Sequence, residues 1–319
     1  MSIDALRAIQ SLLPDVEIVE SDVPADDGYG GAYNEAPHIA SADLIEDRRM
    51  RAHRVDGDPE VRFAGFLDGI QRARIVCHRK GVPIIDGTVA AAIRVRVDRR
   101  LVTWGARPPI VSRKLYMPLA LLGCEGCNEV GGFEIVDTSY NERTTDLVSR
   151  HPAALRAVAF EHVGRDREEA ERRLAEGWCT DCADPLFIDG GTSGSARVAS
   201  SSCAVGVVKS HQTLFADGEA LDVVMSLRRG ERSSIFAPPS QRRNPVMSWY
   251  LRLRDARGRD AMFGLVRIEA SLGGDIAARA DEISRWVLAE TSPVALPDAR
   301  WDRMAYGIRD CEQFLRSIA

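Results

Sequence analysis

Between Arg62 and Trp104 the chain holds three strand-like runs in quick succession: RFAGFLDGI, QRARIVCHRK and PIIDGTVAAAIRVRVDRRLVTW. Only short turns separate them, including the Lys80-Gly81-Val82-Pro83 corner. Runs this closely spaced have no room for helical crossovers, so they predict a meander of three antiparallel strands. A helical stretch follows, with Leu155, Val158, Ala159 and Val163, then Ala170, Leu174 and Trp178, at helical spacing. After it comes a fourth strand-like run, PLFIDGG at 185–191, and then CAVGVVKSH (203–211), SWYLRLRD (248–255) and AMFGLVRIEAS (261–271). Helices over about 276–289 and 301–317 close the pattern.

Ahead of the meander, residues 1–20 read as a helix with Ile3, Leu6, Ile9, Leu12 and Leu13 on one face. Residues 21–60 read as a Gly- and Asp-rich linker followed by a charged helix over SADLIEDRRMRAHR. These features divide the chain into an N-terminal helical extension and linker (1–60) and one α+β domain (61–319). No apolar run approaches the roughly 20 residues of a membrane span, and the N-terminal segment lacks the features of a leader, so a cytoplasmic protein is expected. The net charge of −5 is no footprint of bulk nucleic-acid binding; such contact would come from local basic patches.

Two of the strand runs, FAGFLDG (63–69) and PLFIDGG (185–191), end on the same Asp-Gly layout and deliver Asp68 and Asp189. A third copy, VPIIDGT (82–88), shows that Asp-Gly alone is a common turn signal. Strand order separates the three. Three antiparallel strands, a helix and a further strand form the plan of an RNase H-like domain, a mixed sheet flanked by helices. In that plan the first and fourth strands lie side by side, which makes Asp68 and Asp189 neighbours, while Asp86 reads as a turn residue pointing elsewhere.

Paired carboxylates on adjacent strands suit phosphodiester hydrolysis, where two Mg2+ or Mn2+ ions held by hard oxygen ligands activate water and stabilise the leaving oxygen. Two aspartates are too few for that, so a helix glutamate (Glu161, Glu169 or Glu171) and a C-terminal acid, Asp302, are candidates to complete the site. Lys209, on the strand after Asp189, needs a partner that a phosphate or these carboxylates would supply. Arg267 and Glu269 read as a same-face pair on one strand. No phosphate-binding P-loop, nucleophile elbow or dinucleotide fingerprint occurs.

Two C-x-x-C pairs, Cys124/Cys127 and Cys179/Cys182, read as a four-cysteine structural zinc site held in an insertion within about 115–183, with redox disulfides as the alternative.

FLDG, the Glu-bearing helix running into LFIDGG, VGVVKSH, the pair WYLRL and GLVRIE, and the closing RWDRMAYGIRDCEQFL together resemble the NurA family of nucleases over residues 60–319. That resemblance implies an RNase H-like, Mn2+-dependent deoxyribonuclease acting on DNA ends and single strands. It also implies a homodimer working with a HerA-type hexameric ATPase in DNA repair or phage defence, with Asp68 and Asp189 as metal ligands. The alternatives are a zinc-stabilised nucleic-acid-binding or assembly subunit without catalysis, and another RNase H-like nuclease of Piwi type.

Overall fold

The structure, a computed structural model, describes residues 3–19, 37–98, 100–140, 146–239, 243–291 and 305–319. Its frame, in chain order, begins with helix α1 (Ile3–Leu12), followed by the long strands β1 (Gly65–Arg79) and β2 (Val82–Val97) and then β3 (Ile110–Met117). Helix α2 (Pro152–Asp181) leads to β4 (Leu186–Asp189), β5 (Ala204–Val208), β6 (Met247–Arg252) and β7 (Leu265–Ala270), and helices α3 (Ile276–Glu290) and α4 (Tyr306–Ile318) complete it.

A three-stranded antiparallel meander forms, but not from the three expected runs: the first two fuse into the single strand β1, the third run becomes β2, and β3 comes from Ile110–Met117, where no strand was expected. β1 and β2 pair antiparallel along nearly their full length, and β2 pairs antiparallel with β3. Lys80 and Gly81 join the first two strands with φ of 49° and 79°. Positive φ at both central residues matches the right-handed twist of a hairpin, and the glycine takes its position without steric cost.

β4 then lies parallel to β1, pairing Leu186 with Gly65 and Ile188 with Leu67, which sets Asp189 beside Asp68. β5 is parallel to β4, β7 antiparallel to β5, and β6 antiparallel to β7. The result is a mixed sheet in the order β6-β7-β5-β4-β1-β2-β3, with short strands added at both edges and off this path, fifteen in all among the described residues.

Strand alternation assigns residues to two faces. Leu67, Ala91, Ile93 and Ile188 pack under Leu174 and Trp178 of α2. Phe66, Phe187, Val205 and Trp249 pack under Ile283 and Trp286 of α3, together with Ile308 of α4. Cys311 and Leu315 of α4 settle on Ala90 and Ala92 of β2. Gly307 lies so close to the Phe66 ring that a Cβ would collide with it. Burying Ile308 and Leu315 contributes about 3–6 kcal/mol, at about 1.5–3 kcal/mol per side chain, and holds α4 in place.

Three further expectations need correction. Residues 41–54 are not a helix: Asp43–Leu44 and Ala52–Arg54 are short strands paired to Phe236–Ala237 and Glu231–Ser233. Because these strands join the main sheet, and Glu17–Ile18 pairs with β1, residue 60 does not separate an extension from the domain. Asp86 is no turn. It sits inside β2, where Arg74 reaches Oδ2 at 2.9 Å and Arg113 reaches Oδ1 at 2.8 Å, and these guanidiniums hold its carboxyl below the usual range against the opposing effect of burial.

Candidate metal-binding acidic site

β1 continues far beyond Asp68, whereas β4 stops at Asp189 and the chain leaves through Gly190 at φ 136°. Short β4 therefore opens a gap in the sheet at Asp189. Two clefts, of about 520 and 510 Å³, meet there and share Arg167, Asp189 and Gly190. One is also lined by Asp68, Lys209, Arg309 and Glu312, and the other by Glu171, Arg172, Arg243 and the 190–195 loop.

Each carboxylate arrives from a different element. Asp68 is buried, and its Oδ1 accepts from Gly69 N at 2.8 Å. Glu171 projects from α2 across the bare α-carbon of Gly69, where a Cβ would strike its Oε1. This close approach requires glycine after Asp68 and brings Glu171 to the aspartate pair. Glu312 comes from α4 on the other face and lines the cleft with Asp68.

The electrostatics follow from this crowding. Burial raises the Asp68 carboxyl well above its ordinary range, and the nearby Asp189, Glu171 and Glu312 push it the same way while Lys209 opposes them. Burial likewise raises Glu171 from 4.5 to about 7, even though Arg167 Nη1 sits 2.5 Å from Oε1. Lys209 Nζ lies 2.5 Å from Asp189 Oδ2; burial pulls its pKa down, but Asp189 and Asp68 more than compensate, so the ammonium is held charged.

A clasp behind Asp189 keeps the loop still. Buried Glu269 Oε2 accepts from the backbone N–H of Thr192 at 2.7 Å and of Ser193 at 3.2 Å, while Arg267 Nη1 donates to Oε1 at 2.6 Å. The strand pair Arg267/Glu269 is thus an internal anchor for the loop that leaves the site.

The other sequence candidates fall elsewhere. Glu161 pairs with Arg165 at 2.5 Å on the outer part of α2. Glu169 turns outward to Arg172 and to Arg173. Asp302 lies outside the described residues. Glu312 was missed, although the spacing of buried Ile308, Cys311 and Leu315 on α4 marks the inward face beside which it lies.

The four-cysteine zinc site is not formed in this structure. Cys124 and Cys127 pack in the cluster that contains Leu155 at the start of α2, and Cys179 and Cys182 pack with Trp178 at its end. At 1.5 Å per residue, Leu155 and Cys179 are about 36 Å apart along the helix, far beyond one tetrahedron.

Among the described residues one compact set of metal-capable side chains occurs, Glu46, Asp47 and His53. Arg232 donates to both Glu46 oxygens at 2.7 and 2.8 Å, and Ile235 N adds 2.9 Å. That set is therefore already satisfied by protein cations and amides and does not fit an ion. The acids around Lys209 are more widely spread, but they are hard oxygen donors in mutual repulsion, which is the chemistry a divalent cation relieves.

No protein-family model matches the sequence, and no curated protein matches it either. Among solved structures, the chain is similar to the crystal structure of the NurA nuclease from Sulfolobus solfataricus. The likeness covers 87% of this chain and 86% of that one, with a TM-score of 0.41 and 11% sequence identity.

Proposed function

We propose that this protein is a metal-dependent nuclease that hydrolyses phosphodiester bonds at the Asp68–Asp189 site. The observation that carries the reading is the convergence of Asp68, Asp189, Glu171 and Glu312, from two strands and two helices, on two adjoining clefts that share Asp189 and Arg167, with Lys209 in one of them. A half-buried group of like charges, with Asp68 buried among them, is expensive to keep for stability alone. It is explained by a cationic occupant.

Asp68 and Asp189 would hold Mn2+ or Mg2+, with Glu171 and Glu312 completing the oxygen set. Bound there, the ions would supply an activated water and stabilisation of the leaving oxygen. Lys209 pairs with Asp189 and offers a positive charge to a phosphate at the cleft floor. Arg167 orients Glu171 and, with Gln71 at 3.1 Å from Nε, is itself fixed. The clasp at Glu269 holds the 190–195 loop along one wall, and Arg243 lines the same cleft for backbone contact.

We take the fold as RNase H-like on its strand order, three antiparallel strands with two parallel strands added beside the first. DNA ends or single strands as substrate, a homodimer and a HerA-type ATPase partner complete the proposal. They follow from the motif resemblance.

The test is cleavage of linear single- and double-stranded DNA with Mn2+ or Mg2+, comparing the wild type with Asp68→Asn and Asp189→Asn. Metal-dependent cleavage lost in both variants supports the reading. Undiminished cleavage in either, or none from the wild type, refutes it.

A further inference from the structure

The cysteine pattern left unused by this site has a partner that spacing does not reveal. Cys203, just before β5, places Sγ 4.0 Å from Sγ of Cys179 near the end of α2. It also lies 3.8 Å from the carbonyl oxygen of Cys182 and 3.1 Å from Ser201 Oγ. Cys203 is buried and Cys179 is partly exposed, so the pair sits just beneath the surface.

We propose that Cys179 and Cys203 form a reversible disulfide site, in which oxidation by a hydroperoxide ties the end of α2 to the start of β5. The neighbours favour the ionised form: the Cys179 thiol and the Ser201 hydroxyl beside it draw the Cys203 thiol down against the effect of burial. A thiolate is the nucleophile such chemistry needs.

Cys203 thiolate attacks one peroxide oxygen, the O–O bond breaks, and hydroxide (or the alkoxide of an organic hydroperoxide) leaves, giving a sulfenic acid. Cys179 sulfur then attacks the sulfenic sulfur; the S–S bond forms and the hydroxyl departs as water with the Cys179 proton. The two sulfurs together give up two electrons to the peroxide. A thiol reductant reverses the step by exchange.

The crosslink would brace β4, because α2 carries Glu171 and Arg167 while β5 pairs with β4 along Leu186–Asp189. Cys179 and Cys182 share one helix end, whereas Cys203 belongs to the sheet. A bond from Cys203 to either would join two elements, and Cys179 is the one whose Sγ lies 4.0 Å from that of Cys203.

The experiment treats the reduced, full-length protein with hydrogen peroxide, then maps disulfides by mass spectrometry and counts thiols under denaturing conditions. Loss of two of the seven thiols, with peptides containing Cys179 and Cys203 joined and both thiols recovered by dithiothreitol, is the expected result. Cys182→Ser should retain the link, and Cys203→Ser should abolish it. As a check that does not depend on variant folding, wild type unfolded in urea before oxidation should lose the preference for this pair. A Cys179–Cys182 link, no thiol loss, or a bound zinc equivalent that protects Cys179 and Cys203 would each overturn the proposal. The readout is thiol chemistry alone, so it stands or falls separately from DNA cleavage.

Discussion

Glu171→Gln should stabilise the protein at alkaline pH, although it removes one half of an ion pair. In the folded chain the Glu171 carboxyl is raised from 4.5 to about 7, chiefly by burial and despite Arg167. Folding therefore favours the protonated acid. The stability it confers is fully present below the unfolded pKa and is lost as pH rises through the folded one. At 1.36 kcal/mol for each tenfold change, the loss approaches about 3 kcal/mol near pH 8 and is under about 1 kcal/mol near pH 5. Glutamine imitates the protonated form and should escape the loss. Urea unfolding of wild type and variant at both pH values, in chelator, measures the gap. The variant should gain over wild type as pH rises, and Mn2+ should restore the wild type more than the variant. A gap that stays constant or shrinks between the two pH values would refute the electrostatic reasoning.

Gly69→Ala should leave the fold intact while displacing Glu171, lowering metal-dependent cleavage by about 10–100-fold with far-UV circular dichroism unchanged. Asp68→Asn and Asp189→Asn should each reduce cleavage by at least about a hundredfold, read in the same gel assay. Glu269→Ala leaves Arg267 buried without its carboxylate and frees the 190–195 loop, so it should cost about 3–5 kcal/mol in denaturant unfolding. Cys124→Ser should leave the reactivity of Cys179 toward a thiol reagent unchanged, because the two cysteines belong to separate clusters; altered reactivity would point to a shared site.

The adjacency of Asp68 and Asp189 was legible because the apolar runs that carry them stand out and do pair, but the strands between were not: FAGFLDG and QRARIVCHRK form one strand, and the third strand, Ile110–Met117, was not anticipated. The Lys80–Gly81 turn was legible for the same local reason. Glu171 could be named only as one of three, since choosing among them depends on helix phase and on the bare α-carbon of Gly69 across the gap. The cysteine pairs misled because equal spacing says nothing about the rod between them. Asp86 read as a turn because its two arginine partners lie on neighbouring strands, 12 and 27 residues away. The 41–54 segment, charged and short, has no periodic signal strong enough to show that it borrows its order from the far edge of the sheet.

α2 is one uninterrupted helix of 30 residues, and it fixes Leu155, Glu171 and Cys179 relative to one another as marks on a ruler. Inserting or deleting one residue between them would swing everything downstream by about 100° around the axis and shift it by about 1.5 Å. Glu171 would leave Gly69, or Trp178 would leave the core, depending on which side of the change stayed docked. A change of length in this part of the chain would therefore be accommodated only before Pro152 or after Asp181. The helix interior has, in effect, a reading frame of its own.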